Sequence, residues 1–359
     1  MSIAFLTDTH VGARSSSSVF REYMKYWYEE HFFADLTSRG ITEIIHGGDF
    51  FDNRNAVSLQ DIDFVVNWFA NKLIDGGFNM TIILGNHDVA FKNTNRVHSL
   101  SMLQAAAPNN VRVIEEPELT EIDGQWYALV PWINTSNYDK TIEFLDGLIS
   151  KQSIIVVGHF EIAGAKMYAN SSLCEHGLNA DLFTQFKEVW SGHFHHKSMM
   201  NNIRYMGSAF HLNWQDHGDA RGYHVYDAAT DTLEFIENEY SLFAEVYFDK
   251  DVFALMSDDE YSDAFNMRFV RLVVDSEYDN VALLDTISKI NKSKPHDLQV
   301  VNLSAIKQDE TQTTEDITLK VTKTTIGYIE SYIENESAEV KSLMADLYVQ
   351  ANDKLLKGE

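Results

Sequence analysis

From residue 1 to about 240 the chain repeats one rhythm: a short apolar run, then Gly, Asp or His, then a stretch with helical spacing. The runs Ile3 to Leu6, Glu43 to His46, Met80 to Leu84, Ile154 to Val157 and Val189 to Ser191 read as strands, with further strands near Trp126 to Val130 and Ile203 to Met206. Short continuous apolar runs suit strands covered on both faces, so the pattern predicts a layered α/β domain. Between them, Ser58 to Asp61 has the form of a capping box. It opens a helix with Ile62, Val65, Val66, Phe69 and Leu73 on one face, closing at Gly76-Gly77. An earlier helix carries Phe20, Met24, Trp27 and His31 and ends before Gly40. Its aromatic stripe reads as core or dimer packing, which makes His31 a packing residue rather than a ligand.

Beyond residue 240 the rhythm changes. Arg268 to Asp275 alternates as a half-buried strand, Val281 to Asn291 reads as a helix and Asp297 to Leu303 as another strand, together a small α+β module. Residues 308–316 are a polar, acidic linker, and Val340, Leu343, Met344, Leu347, Ala351 and Leu355 then fall at helical spacing. The organisation expected is a principal domain over 1–240, a small module over 241–305, a linker over 306–320 and a helical tail over 321–359. That tail either packs on its own domain or docks on a partner.

Composition narrows the function. The 359 residues are 45% hydrophobic, enough for a packed core, with no run near the roughly 20 apolar residues that cross a bilayer. The start, Met1 to Leu6, lacks a basic leader, so a cytoplasmic protein without a membrane span is expected. Cys174 is the only cysteine, which excludes an intrachain disulfide and any thiolate metal cluster. The formal charge of -26 runs against a protein that grips nucleic acid with a generally basic surface. Either the substrate is not a long nucleic acid, or metals, a local basic lining and a partner supply the attraction.

Five polar motifs follow predicted strands: Asp8-Thr9-His10, Gly48-Asp49-Phe50-Phe51-Asp52, Gly85-Asn86-His87-Asp88, Gly158-His159 and Gly192-His193-Phe194-His195. In open α/β sheets ligands gather beyond the carboxyl ends of the strands, so loops distant in sequence can converge there. Carboxylate, imidazole and amide oxygen are donors that divalent metals accept. Seven such donors exceed one tetrahedral ion and suit two ions sharing a carboxylate, an arrangement that hydrolyses phosphoesters.

The order and spacing of these motifs resemble the calcineurin-like metallophosphoesterase superfamily over residues 1–240. The fold implied is a layered β-sandwich flanked by helices. The resemblance implies that Asp8, His10, Asp49 and His195 hold one ion and Asp49, Asn86, His159 and His193 the second, with Asp49 as the bridge. It also implies that His87 is no ligand but faces the scissile phosphate, with Asp88 orienting its ring. A metal-bridging hydroxide would attack phosphorus while His87 assists the leaving oxygen. His196 has no ligand role in the pattern. Among His46, His98, His211, His217 and His224, His211 is the first candidate to line the cleft, because Gly207-Ser208 resembles a segment that follows the last metal motif in the nucleases.

Within the superfamily the chain is similar to the SbcD-type, or Mre-type, nuclease subunits, and especially to phage recombination endonuclease subunits across Arg204 to Ser208 and Arg221 to Tyr223. The form Gly-Asp-Phe-Phe-Asp and the Asn-His-Asp motif differ from the protein phosphatases. Some nucleases carry His where Asp52 stands. The resemblance implies Mn2+- or Mg2+-dependent cleavage of DNA, exonucleolytic on double strands and endonucleolytic on single strands or hairpins. It also implies a homodimer joined to an SMC-like, SbcC-type ATPase, in the host cytoplasm if phage-encoded, with the 241–305 module as a capping-like DNA-binding domain and the 321–359 tail as the docking segment. Arg14, Arg54, Lys92, Arg96, Lys166 and Lys197 are candidates for a basic lining. Two other readings compete: a small-molecule phosphodiesterase or phosphatase, favoured by the acidity, and a non-enzymatic scaffold, disfavoured because all the motif positions are filled.

Overall fold

The computed structural model describes residues 2–166, 173–275 and 279–302. It divides into two compact units, Met1–Phe243 and a second beginning at Ala244. The linker and tail expected over 306–320 and 321–359 lie outside the described residues, as does the end of the strand expected to reach Leu303.

The first unit is built on two six-stranded sheets. In the first, Ser2–Leu6, Glu43–His46, Asn79–Ile83 and Val111–Ile114 run parallel in that order, and Gly222–Asp227 and Thr232–Glu237 add antiparallel strands beyond Ser2–Leu6. In the second, Gln125–Val130, Ile154–His159, Glu188–Gly192 and Ile203–Tyr205 are parallel, edged by antiparallel Glu118–Ile122 and Ser198–Met200. One core joins the sheets face to face: Ile3, Phe5, Ile45 and Ile83 meet Tyr127, Leu129, Val157 and Trp190. The alternate residues Ala128, Val130, Val156 and Val189 point into another core with Phe160, Ile162, Phe183 and Phe186. These strands are therefore apolar on both faces, which is why they read as unbroken runs.

The helical segments predicted over 20–39 and 58–77 form, each with a π-helical turn in its middle, Tyr28–Phe32 and Phe64–Phe69. The first π turn corrects the expected stripe. It carries the buried face onto Tyr28 and Phe32, and leaves His31 exposed against the Tyr26 ring instead of packed. Tyr28 and Phe69 meet edge to face at 5.0 Å across the two segments. Ser58 accepts the Asp61 N–H as expected of an N-cap. The Asp61 carboxylate, however, takes the Ser58 hydroxyl and Arg21 rather than closing a reciprocal box.

The strand Phe243–Tyr247, which begins at the last residue of the first unit, forms a three-stranded sheet with Phe269–Val274 and Asp297–Asn302, and the second unit adds helices Lys250–Leu255, Asp258–Phe265 and Asn280–Lys292. Its own core gathers Phe253, Tyr261, Phe265, Val270, Leu272 and Ile290. No described helix is long and apolar enough to cross a membrane.

His224, on the strand beside Ser2–Leu6, is 6% exposed and lies 5.0 Å from the Phe235 ring. Burial, with the charges of Lys197 and Arg204, pushes its pKa down to about 3. Below pH 6.5 the unfolded chain therefore takes up a proton that the native state refuses, and stability falls as pH drops toward 3. For metal-free protein this one site should cost up to about 1.4 kcal/mol per pH unit below 6.5. Urea unfolding at pH 7.5 and 5.5 should show a smaller difference for His224→Phe than for the parent chain; identical differences would contradict it.

Candidate metal centre

All five motifs sit where strands end, and the backbone turns sharply there. Asp8, His10, Asp49 and His193 all adopt left-handed φ values, between 49° and 85°. Non-glycine residues pay strain for that conformation, and here it turns the chain abruptly at the strand ends that carry the donors. Gly85 is required by close approach: a Cβ there would lie 2.2 Å from both the Asp49 backbone nitrogen and Oδ1. Gly48, at φ 93°, presses against His159 Nδ1 and the Gly85 backbone in the same way. Gly85→Ala should displace Asp49 and lower turnover by about 100-fold, the scale expected of an ångström's misplacement. A metal titration alongside the kinetics should show weakened binding; parent-like values for both would refute the packing argument.

The donors form two neighbouring groups. In the first, His10 Nε2 lies 3.0 Å from His195 Nε2, 4.0 Å from Asp8 Oδ1 and 3.9 Å from Asp49 Oδ2, and His195 Nε2 is 3.9 Å from Asp8 Oδ1. In the second, His159 Nε2 lies 3.1 Å from Asp49 Oδ2 and 3.1 Å from Asn86 Oδ1, which is 3.0 Å from His193 Nδ1. Asp49 Oδ2 belongs to both. Donors spaced in this way match the edges of an ion coordinated at about 2.0 to 2.2 Å, roughly 3 Å for adjacent ligands and 4 Å for opposed ones. Two nitrogens 3.0 Å apart, with two carboxylates beside them, fit a shared cation better than a hydrogen bond. The residues therefore suit two divalent ions. The structure brings together Asp8, His10, Asp49, Asn86, His159, His193 and His195.

Electrostatics favour the same occupant. Asp8, Asp49 and His159 are wholly or almost wholly buried. Burial lowers the pKa of His159, yet Asp49 and Asp8 outweigh it and push it up to about 9. Burial would raise Asp49, but His159, His10 and His87 hold it ionised well below the usual carboxylate range. Burial and the His159 charge push His193 down to about 3, so this ring is neutral and free to ligate. Burial, His10 and Arg221 likewise lower His195. His159 Nδ1 is fixed by the Gly47 carbonyl at 2.9 Å, the second contact that orients a ligating imidazole.

His87 stands beside this set, with its ring 5.1 Å from that of His10 and its backbone N–H donated to Asp49 Oδ1 at 2.7 Å. It also forms a third close group with His10 and Asp49. The expected pairing of Asp88 with the His87 ring is corrected. The buried Asp88 carboxylate accepts the backbone N–H groups of Asp49, Phe50, Phe51 and Gly85 at 2.9 to 3.1 Å, while His87 Nδ1 meets the Asp52 carbonyl. Four N–H donors at one strand end leave no room for the ring. Asp88 thus ties the Asp49 loop to the Asn86-His87 loop.

Sequence reasoning left other contributors undecided or unseen. Asp52 Oδ1 lies 3.2 Å from His10 Nδ1 at ion-pair distance, so this residue faces both His10 and His87. His46 is buried behind the loops, where its Nδ1 accepts the Gly48 N–H and its Nε2 meets the Thr9 hydroxyl. Trp132 sits 5.5 Å from His193, a neighbour that nothing in the local sequence announced. His211 bonds the Asp219 carbonyl through Nε2 and joins none of the donor groups, and His196 pairs with the Asp219 carboxylate. Of the proposed basic lining, Arg14 is occupied by the Leu212 carbonyl and Lys197 lies 3.1 Å over the Phe235 ring.

Comparison with known proteins places this geometry. An "Exonuclease subunit 1" of Enterobacteria phage T4 is 31% identical over 294 residues, spanning 78% of this chain and 83% of that protein. Among solved structures, an archaeal phosphodiesterase aligns over 66% of this chain and 99% of its own, at 13% identity and a TM-score of 0.34. A Pseudomonas putida nuclease, MPE, aligns over 56% and 66% at 16% identity and a TM-score of 0.29. The calcineurin-like phosphoesterase profile matches residues 1–197, more than half of the chain and all five motifs. The chain therefore belongs to the calcineurin-like phosphoesterase family and is a metal-dependent phosphodiesterase.

Proposed function

We propose that the protein is the nuclease subunit of an SbcC/SbcD-type recombination and repair complex, cleaving DNA phosphodiesters with two divalent ions, Mn2+ in preference to Mg2+. The observation that carries this reading is the 31% identity with the phage exonuclease subunit, which extends well past the metal motifs. When bound, two ions would supply Lewis-acid stabilisation of the phosphate charge and ease ionisation of the attacking water.

The chain's own residues divide the remaining work. Asp8, His10, Asp49 and His195 hold one ion, and Asp49, Asn86, His159 and His193 the other. His87 delivers a proton to the departing sugar oxygen, its ring steadied by the Asp52 carbonyl. Asp88, as a positioning residue, holds the two loops in register. Arg54, Lys92 and Arg96 lie near these loops in sequence and have no carboxylate partner among the described residues, a local attraction for phosphate in a chain of net charge -26.

The unit beginning at Ala244 is assigned to DNA contact and the segment 321–359 to docking on the SbcC-type ATPase, in a homodimer within a heterotetramer acting in the host cytoplasm. The acidity favours one second reading, hydrolysis of small phosphodiesters. Manganese-dependent cleavage of labelled linear duplex and hairpin DNA, run beside bis-p-nitrophenyl phosphate, separates the two. Cleavage of DNA supports the nuclease reading. Hydrolysis of the small ester with DNA left intact, even with the ATPase partner present, overturns it.

A further inference from the structure

We propose that the hairpin immediately after His87-Asp88 is the seat of an unpaired DNA strand beside the scissile phosphate, with Phe91 stacking on a base and Lys92 and Arg96 taking flanking phosphates. The inference rests on the nuclease reading and specifies its substrate contact.

Val89–Phe91 and Thr94–His98 pair antiparallel around the two-residue turn Lys92-Asn93. The hairpin is held firmly at its base. Val89 is fully buried, Ser99 donates both its N–H and its hydroxyl to the Asp88 carbonyl, and buried Asn95 donates to the Trp132 carbonyl at 2.9 Å. Asn95 Oδ1 also accepts from Asn134 at 2.8 Å. Both anchors, Asp88 and Trp132, adjoin the metal centre, so the hairpin is fixed relative to it.

The far end presents an unusual combination. Phe91 is 53% exposed at the turn, and Lys92 and Arg96, also exposed, have no carboxylate partner among the described residues. In a chain with 54 Asp and Glu against 28 Lys and Arg, Arg39, Arg112, Lys140 and Arg204 are each neutralised by a carboxylate, whereas Lys92 and Arg96 leave their charge available to a phosphate. An exposed ring on the same hairpin as two unpaired cations is the chemistry that binds single-stranded nucleic acid: the ring stacks on any base and the cations follow the backbone. Phe91 lies four residues after His87, hence at most about 14 Å away along the chain, within a few nucleotides of the cleaved bond. Stacked bases also need a strand that is locally unpaired.

The test uses the full-length protein with Mn2+ and a labelled single-stranded oligodeoxynucleotide, with bis-p-nitrophenyl phosphate, too small to span the hairpin, as reference reaction. Phe91→Ala should raise KM for the oligonucleotide about 5- to 100-fold, and Phe91→Trp should retain the parent value. Lys92→Ala and Arg96→Ala should each reduce the slope of log affinity against log salt by about 0.7. An unchanged KM in Phe91→Ala overturns the proposal. So does an equal loss on both substrates, which would make the ring a structural support. A parent protein that cleaves the small ester but no DNA instead overturns the nuclease reading itself, and the proposal with it.

Discussion

Replacing Asp49 with Ala should abolish turnover, by at least about 10³-fold, because several kcal/mol of charge stabilisation depend on ions that share this carboxylate. One oxygen, Oδ2, faces His159 at 3.1 Å on one side and His10 at 3.9 Å on the other; Asp8 Oδ1 also comes within 3.9 Å of His159, but among the described residues Asp49 is the carboxylate grouped closely both with His10 and with His159 and His193. Calorimetric titration with Mn2+ should show two sites reduced to one or none. Asp49→Asn makes the interpretation sharper. Its amide oxygen can still accept the His87 N–H that Oδ1 now accepts, but the negative charge is gone. If Asn restores ion stoichiometry and rate, the shared charge is not the basis of the site. Asp49→Asn should stay folded, since it relieves the repulsion between two buried carboxylates, which helps to raise the pKa of Asp8 alongside its burial, and keeps an acceptor for the His87 N–H.

His87→Ala should separate binding from chemistry. The ring is placed by the Asp52 carbonyl at its Nδ1, the bond to Asp49 Oδ1 comes from the backbone N–H that Ala keeps, and the seven other donors do not need the ring to complete two groups. Ion stoichiometry should therefore remain at two while kcat falls by about 10²- to 10⁴-fold, the range for loss of a general acid. Because His87 also forms a close group with His10 and Asp49, the opposite result has a clear meaning. Loss of one ion would make His87 a ligand, and the proton would have to come from elsewhere. A leaving group of low pKa gives a second readout: p-nitrophenolate needs little protonation, so the variant's deficit should shrink on that ester compared with DNA.

How much of this was legible in the sequence follows from the range of the forces involved. The strands Glu43–His46, Ile154–His159 and Gln125–Val130 showed themselves because burial on both faces demands continuous apolar runs. The helix after Ser58 was marked at both ends, by a cap whose hydroxyl takes the Asp61 N–H and by Gly77 in left-handed conformation. Edge strands such as Glu118–Ile122 and Thr232–Glu237 went unseen, since one polar face and partial exposure leave a weak pattern. The hairpin after Asp88 also escaped: its strands are short and held by side-chain bonds to the 132–134 loop.

The chain by itself determined the residue types at the site and the strand ends that carry them. An Asp-x-His, a Gly-Asp, an Asn-His-Asp and two Gly-His motifs in this order leave few chemistries open, because carboxylate, imidazole and amide oxygen at five strand ends are together a donor set that divalent metals accept. Tertiary structure alone decided which partner each polar group takes. Asp88 is next to His87 in sequence, yet its carboxylate is claimed by four backbone N–H groups, and Asp52, 35 residues away, takes the ring instead. The π turn at Tyr28–Phe32 likewise moved His31 to the surface. Hydrogen bonds are settled over a few ångströms, between loops whose separation is set by the packing of two sheets, and no local pattern encodes that distance.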